Sequence, residues 1–428
     1  MTNRRDFIRK SALGAAALPL ASTAAHSNSF LDLPELRQTV QRSVDDEVFW
    51  ATIRKQFPLK EGQTYFNNGT MGPQPSYVLE RVIEDMRFNA VHGAETDYKG
   101  EGPQLLSGYF QYQELREKLG GLINADYKEI SLTQNATFGM NFIANGLDLK
   151  EGDEIINTNQ EHGGGYAAWK QLAKRKGLVY KQATMPVPAN DPQEVIDAVL
   201  SQISRKTRVI AIPHLVSVHG VVMPAKEICE EARKRGIFTI LDGAQTVGQI
   251  KVDVKDIDCD AYYASLHKWL LAPAGNGILY VKSDQVDKVW CTLASYNWEN
   301  HEDHGFRLQQ YGTGNPSLLV GLDAAVDFYN TIGSDRWLLR IKELGDHLRA
   351  GLQEMDKVSI HSSIHQDMCA GITTYAVENI SGPNLQKKLW EEKRLQPRSV
   401  GEELLRHSVH IYNSKSEIDQ ALEVISSI

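Results

Sequence analysis

Short apolar runs and helical patterns alternate through the middle of the chain. Ile130 to Leu132, Glu154 to Asn157, Val209 to Ile212, Ile237 to Leu241, Ala261 to Ser265 and Ile278 to Val281 each read as a short buried strand. Helix signals lie between them: Pro224 suits a first-turn position, Ala225 to Arg235 is rich in helix formers, and Gly236 suits the turn that ends it. Such alternation predicts an α/β fold, a mostly parallel sheet with helices on both faces. Past about Gly321 the pattern changes to helices around Leu322 to Tyr329 and Arg336 to Met355. Two β-like runs, Gly371 to Val377 and Val409 to Tyr412, and a final helix from about Ser416 follow, which predicts a smaller α+β C-terminal domain. Ahead of the sheet, Asp45 to Pro75 is rich in turn formers and is expected to run over the surface toward a functional cleft.

Composition narrows the classes. The 428 residues are 42% hydrophobic and 8% aromatic, enough to bury a core and too apolar for a disordered chain. With 46 basic against 54 acidic residues the net charge is −8, and no long run of Lys or Arg offers a surface for nucleic acid. The N-terminus is basic through Arg4, Arg5, Arg9 and Lys10, and then Ala- and Leu-rich from Ser11 to Ala25. That apolar stretch is too short to cross a bilayer core of about 30 Å, so a cleaved signal peptide rather than a permanent membrane anchor is expected over residues 1–25. Arg4-Arg5-Asp6-Phe7-Ile8 resembles the twin-arginine signal, which implies the twin-arginine export machinery as a partner and the periplasm as the location. Cys229, Cys259, Cys291 and Cys369 are scattered with no Cys-x-x-Cys pair, and no structural disulfide is expected.

Ligands of mostly parallel sheets sit beyond the carboxyl ends of the strands, so the residues just after each apolar run matter most. Asp242-Gly243-Ala244-Gln245 puts a carboxylate at one strand mouth, where it must be paired, solvated or used as a helix cap. Ser265-Leu266-His267-Lys268-Trp269 follows the next strand. A lysine in such apolar surroundings loses ammonium solvation and becomes nucleophilic, although a surface lysine is the plainer reading of Lys268 alone. Thr133 to Gly139 joins a strand to a helix, and backbone N–H groups there, with Thr137, suit either a phosphate or an ordinary N-cap. Glu161-His162-Gly163-Gly164-Gly165 offers glycines for close backbone approach, with His162 able to lie flat on an aromatic ligand.

Taken in this order, these pieces resemble the class V aminotransferase superfamily of pyridoxal-phosphate (PLP) enzymes from about Pro58 to the C-terminus. The strongest part is Asp242-x-x-Gln245 with Ser265-x-His267-Lys268. The resemblance implies a fold-type I large domain over 76–320 behind an N-terminal segment at 26–75, with the small domain at 321–428. It implies that Lys268 carries PLP as an internal aldimine, that Asp242 pairs with the protonated ring nitrogen, and that His162 stacks on the ring. Gln245 would bond the ring hydroxyl, while Ala136, Thr137, Ser265 and His267 would hold the phosphate. Tyr311-Gly312-Thr313 is similar to the family's Gly-Thr element, which implies a homodimer with shared sites in which Thr313 reaches the partner's phosphate.

Leu405 to Asn413 is similar to the family's Arg-x-Ser…Tyr-Asn stretch, so Arg406 is the first candidate for a substrate carboxylate and Arg398 the second. Tyr65-Phe66-Asn67-Asn68-Gly69 resembles the isopenicillin N epimerase-like branch, which places Asn67 and Asn68 near substrate. That branch implies epimerase, C–S lyase or aminotransferase chemistry on an α-amino acid or an amino-acid-derived secondary metabolite. A non-catalytic PLP-fold scaffold is the alternative, against which the intact Lys268, Asp242, Gln245 and His162 set argues. Ser217 stands where many relatives carry asparagine near the ring hydroxyl. Ser399 to Leu405 holds no cysteine where desulfurases place their nucleophile, so cysteine desulfurase chemistry is disfavoured. His301-Glu302-Asp303-His304 has metal-ligand residue types, but is expected to be a solvated active-site loop with no metal.

Overall fold

The apolar runs of the central region become strands buried at nearly every position. A computed structural model describes residues 33–42, 46–93, 110–296 and 298–428; the expected signal peptide at 1–25 lies outside the described residues. In chain order the strands are β1 (Thr64–Tyr65), β2 (Ile130–Thr133), β3 (Glu154–Thr158), β4 (Val179–Ala183), β5 (Thr207–Pro213), β6 (Phe238–Asp242), β7 (Ala261–Ser265), β8 (Gly277–Val281), β9 (Val358–Ile360), β10 (Ile372–Val377), β11 (Leu395–Gln396), β12 (Arg398–Val400) and β13 (Leu404–Ser408).

Seven of them form the large sheet in the order β2-β8-β7-β6-β5-β3-β4. The pairs from β7 through β4 are parallel, and β8 alone runs against its two neighbours. Side chains alternate across a strand, so each strand feeds two cores. Ile156, Ile210, Leu241, Tyr262 and Ile278 face one, with the helices Ala225–Arg233 and Pro316–Ile332. Ile155, Val209, Ile240, Tyr263 and Leu279 face the other, with the helices Ala136–Gly146 and Gly163–Lys176.

A four-stranded antiparallel sheet, β12-β13-β10-β9, follows toward the C-terminus, and its core is Leu344, Leu348, Tyr375, Leu405 and Ile418 with Phe66. The helix expected from Leu322 starts earlier, at Pro316, because Asn315 accepts the Ser317 N–H and proline suits the first turn. Among the described residues no helix is long and apolar enough to cross a membrane, and all four cysteines are free.

Three expectations need correction, and one strand is not announced by the sequence. The edge position of β4 leaves Val179 and Gln182 exposed, so no apolar run marks it. Val409 to Tyr412 is not a strand: Val409, Ile411 and Tyr412 are fully buried, but in the turn after β13. The segment before Pro75 does lead to a cleft, which Gly69 and Thr70 line, but only part of it is exposed. β1 pairs in parallel with β11, and Phe66 and Asn68 are completely buried. The 301–304 stretch is no solvated loop at Asp303, which is buried, caps the helix His304–Gln309 and grips the fully buried Arg116 guanidinium.

Candidate active site

The carboxyl ends of β3, β5, β6 and β7 and the start of the helix Ala136–Gly146 surround one cleft of about 290 Å3. Ala136, Thr137, His162, Ser217, Asp242, Gln245, Ser265, His267, Lys268 and Arg398 all line it, although they are spread over more than 260 positions of sequence.

Lys268 sits on the turn after β7. Among the described residues no hydrogen bond or ion pair holds its Nζ. Burial brings its pKa down to about 8, Asp242 pulls it back up, and Arg406 and Arg398 push it further down. The turn itself is clamped from the N-terminal segment. Asn68 Nδ2 donates to Lys268 O at 3.2 Å, Gly72 N donates to His267 O at 2.9 Å, and a Cβ on Gly72 would lie 2.2 Å from Lys268 O.

Asp242, the last residue of β6, divides its oxygens. Oδ1 accepts the Ala244 N–H at 2.8 Å and so holds the turn after β6, where no helix starts, while Oδ2 lies over Gly165, where a Cβ would approach to 2.9 Å. Burial raises the carboxyl, and Ala244 and Lys268 partly restore it. Glu161 Oε2 also faces Gly165, and its Oε1 accepts from Thr158 N and Oγ1. Burial first and the Asp242 charge second hold Glu161 well above the ordinary carboxylate range. His162 caps the helix Gly163–Lys176 through Nδ1, which accepts the Gly164 N–H at 3.1 Å, so the neutral ring carries its proton on Nε2. Burial lowers the His162 pKa, and three nearby cations add to that.

At the phosphate-like corner Ser265 Oγ accepts the Ala136 N–H at 3.0 Å, Thr137 lies in the first turn of the same helix, and His267 Nδ1 is buried without a partner. Burial drops His267 to about 4, so it is neutral. Gln245 is fully engaged: Nε2 donates to Gly69 O and Ser217 Oγ, and Oε1 accepts from Trp269 Nε1 at 2.8 Å. Arg406 is 2% exposed and donates to Ser217 O, Asn67 Oδ1 and Thr70 Oγ1. Asn67 and Asn68 stand behind the cleft wall, holding Arg406 and the lysine turn. Thr313 is exposed, and is not among the residues lining its own chain's cleft. Nothing in the sequence alone gives Thr70 or Glu161 a role. Thr70 lies beside a recognised Asn-Asn-Gly, and Glu161 directly precedes His162.

The aminotransferase class-V family model matches residues 75–421. The chain belongs to that family. Class-V relatives include isopenicillin N epimerase of Amycolatopsis lactamdurans, 30% identical over 89% of this chain and 98% of that protein. A probable cysteine desulfurase of Methanothermobacter thermautotrophicus is 27% identical over 88% of this chain and 97% of its own length. Among solved structures, the complex of the cystine C–S lyase C-DES with cysteine persulfide superposes with TM-score 0.77 at 25% identity. It covers 87% of this chain and 100% of that one. A C-DES lysine-to-alanine mutant with glycine covalently linked to PLP gives 0.78, over 88% and 99%.

The chain is therefore a PLP-dependent enzyme of fold type I. Its own residues fit that cofactor. One carboxylate oxygen is unclaimed over a glycine-cleared space, a lysine amine is unheld, and a helix start with an orphaned imidazole suits a phosphate.

Proposed function

We propose that the chain is an exported PLP-dependent enzyme that acts on an α-amino acid or an amino-acid-derived secondary metabolite, by epimerase, C–S lyase or aminotransferase-type chemistry. The observation that carries this reading is Lys268, an unheld amine brought to about 8 in a cleft that also presents Asp242 and Arg398. PLP, when bound, supplies an electron sink for charge developing at the substrate α-carbon.

The residues divide the remaining work. Asp242 Oδ2 would hold the ring nitrogen in its protonated form, and His162 would lie against the ring. Ala136, Thr137, Ser265 and His267 would hold the phosphate at the helix start, and Ser217 and Gln245 would be the residues on the side of the ring hydroxyl. Lys268 holds the cofactor and moves the α-proton at Nζ, and Arg406 takes the substrate carboxylate through its guanidinium fork. In a homodimer, Thr313 completes the partner's phosphate site.

Desulfurases are among the relatives, but Ser399 to Leu405 carries no cysteine and none lines the cleft. That favours chemistry without a protein persulfide. Export rests on Arg4 and Arg5.

The deciding experiment screens the purified holoenzyme with single amino acids by chiral and keto-acid product analysis. Inverted, eliminated or transaminated product without a persulfide left on the protein is expected. A yellow protein that turns over only cysteine, leaving persulfide on itself, contradicts the reading. A colourless one that stays so with added PLP supports the scaffold. Periplasmic fractions should contain the wild type and lose the Arg4→Lys, Arg5→Lys double variant. Equal amounts of both there count against twin-arginine export.

A further inference from the structure

Two carboxyl groups meet at one wall of the cleft, and the reading above uses only Asp242. Asp242 Oδ2 and Glu161 Oε2 approach the same point, lying 2.9 and 3.5 Å from where a Cβ would stand on Gly165. Gly165 is buried in the first turn of the helix Gly163–Lys176, and its missing side chain leaves that space to the two oxygens. Each carboxyl has its other oxygen engaged. Asp242 Oδ1 accepts the Ala244 N–H at 2.8 Å, and Glu161 Oε1 accepts from Thr158 N at 3.2 Å and Thr158 Oγ1 at 3.0 Å. The two remaining oxygens are thus left to the space over Gly165, in a cleft that both residues line.

Their charges are balanced unequally. Lys268 is the cation that acts on Asp242, whereas Asp242 and Thr158 are the groups that act on Glu161, with no cation among the described residues doing so. Tyr180 on β4 and Tyr263 on β7 also feel Glu161, and burial first of all pushes both upward, so they stay neutral. Of two neighbouring carboxyls with one nearby cation, the one without the counter-ion keeps its proton. Glu161 Oε1 already accepts twice, so the proton belongs on Oε2.

We propose that Glu161 is a positioning residue of the cofactor site, a neutral acid whose Oε2–H donates to Asp242 Oδ2 and holds that oxygen as an anion for the ring nitrogen. A donor on the carboxylate favours the state with the proton on nitrogen over the state with it on Asp242. This rests on the reading of the cleft as a PLP site and adds to it the group behind Asp242.

The test compares Glu161→Gln, whose amide keeps neutrality and a donor, with Glu161→Leu, which keeps no donor. Infrared difference spectra of the cofactor-free wild type against Glu161→Gln at neutral pH should show the carbonyl stretch of a protonated carboxylic acid that the variant lacks. A carboxylate band in its place overturns the proposal. Holoenzyme carrying PLP labelled with nitrogen-15 in the ring then reports the ring nitrogen by NMR. Wild type and Glu161→Gln should share a protonated-ring signal and agree in PLP dissociation constant within about twofold. Glu161→Leu should move the signal toward the unprotonated ring and weaken PLP by roughly tenfold, the effect of one hydrogen bond to a charged group. An unmoved signal in Glu161→Leu, or a Glu161→Gln signal displaced as far as that of Glu161→Leu, overturns the proposal. If Glu161→Leu does not fold, the infrared band and the Glu161→Gln signal decide. Failure of the wild type to take up PLP counts against the PLP reading, while the infrared band of the cofactor-free protein tests the Glu161 proton by itself.

Discussion

Lys268 is useful because its environment opposes its charge. An ordinary lysine keeps its proton up to about pH 10.5, whereas burial here brings the change down to about pH 8, with Asp242 resisting and the two arginines assisting. Only the unprotonated amine attacks a carbonyl, so capture of PLP by the cofactor-free protein should accelerate as pH rises and level off above a midpoint near 8. Stopped-flow absorbance across pH 6 to 11 checks this, and a midpoint near 10.5 contradicts it. At this scale much of the site was legible in the sequence. Lys268, Asp242, Gln245 and His162 are polar residues following apolar runs, and a carboxylate or amine in such a place needs a reason. Glu161 and Thr70 were not legible in the same way. Glu161 matters because Gly165 lets Asp242 come close, and Thr70 because it meets arginines more than 320 positions away.

Elements were legible where burial was complete. β3, β5, β6, β7 and β8 are buried at every position or nearly so, and their apolar runs announce them. Edge strand β4 carries no such run, and the pairing of β1 with β11 joins segments whose periodicities have nothing in common. A buried ion pair ties two further elements. Arg116, on the helix Gln113–Ile123, donates to Asp303 Oδ2 at 2.9 Å and to Ile130 O at 2.8 Å, while Asp303 caps the helix His304–Gln309 through the Phe306 N–H. Removing one partner leaves the other charge buried and unpaired, so Arg116→Met should cost about 3–5 kcal/mol of stability. Urea unfolding measures it. A loss below about 1 kcal/mol would mean that water or local movement relieves Asp303, contrary to the packing described.

Across the molecule, two layered cores and a second sheet leave several histidines in dry places. Burial alone lowers His214 to about 4 and His407 to about 3, and it lowers His410 to about 3 against a small opposing effect of Trp269 O. The unfolded chain binds protons at these groups from about pH 6.5 downward and the folded one does not, so stability is full above that pH and lost as pH falls toward 3. Each histidine should remove on the order of 2 kcal/mol between pH 7 and pH 5. Urea midpoints at the two values test this, and unchanged midpoints contradict it. The whole arrangement, from β7 to the clamp at Gly72, presents one amine to a cofactor, and that is the claim to test most directly. Borohydride reduction of the holoenzyme followed by peptide mass spectrometry should place the phosphopyridoxyl group on Lys268. Lys268→Ala should yield no labelled peptide, with its circular dichroism unchanged. A label on any other lysine, or a labelled peptide from Lys268→Ala, would contradict it.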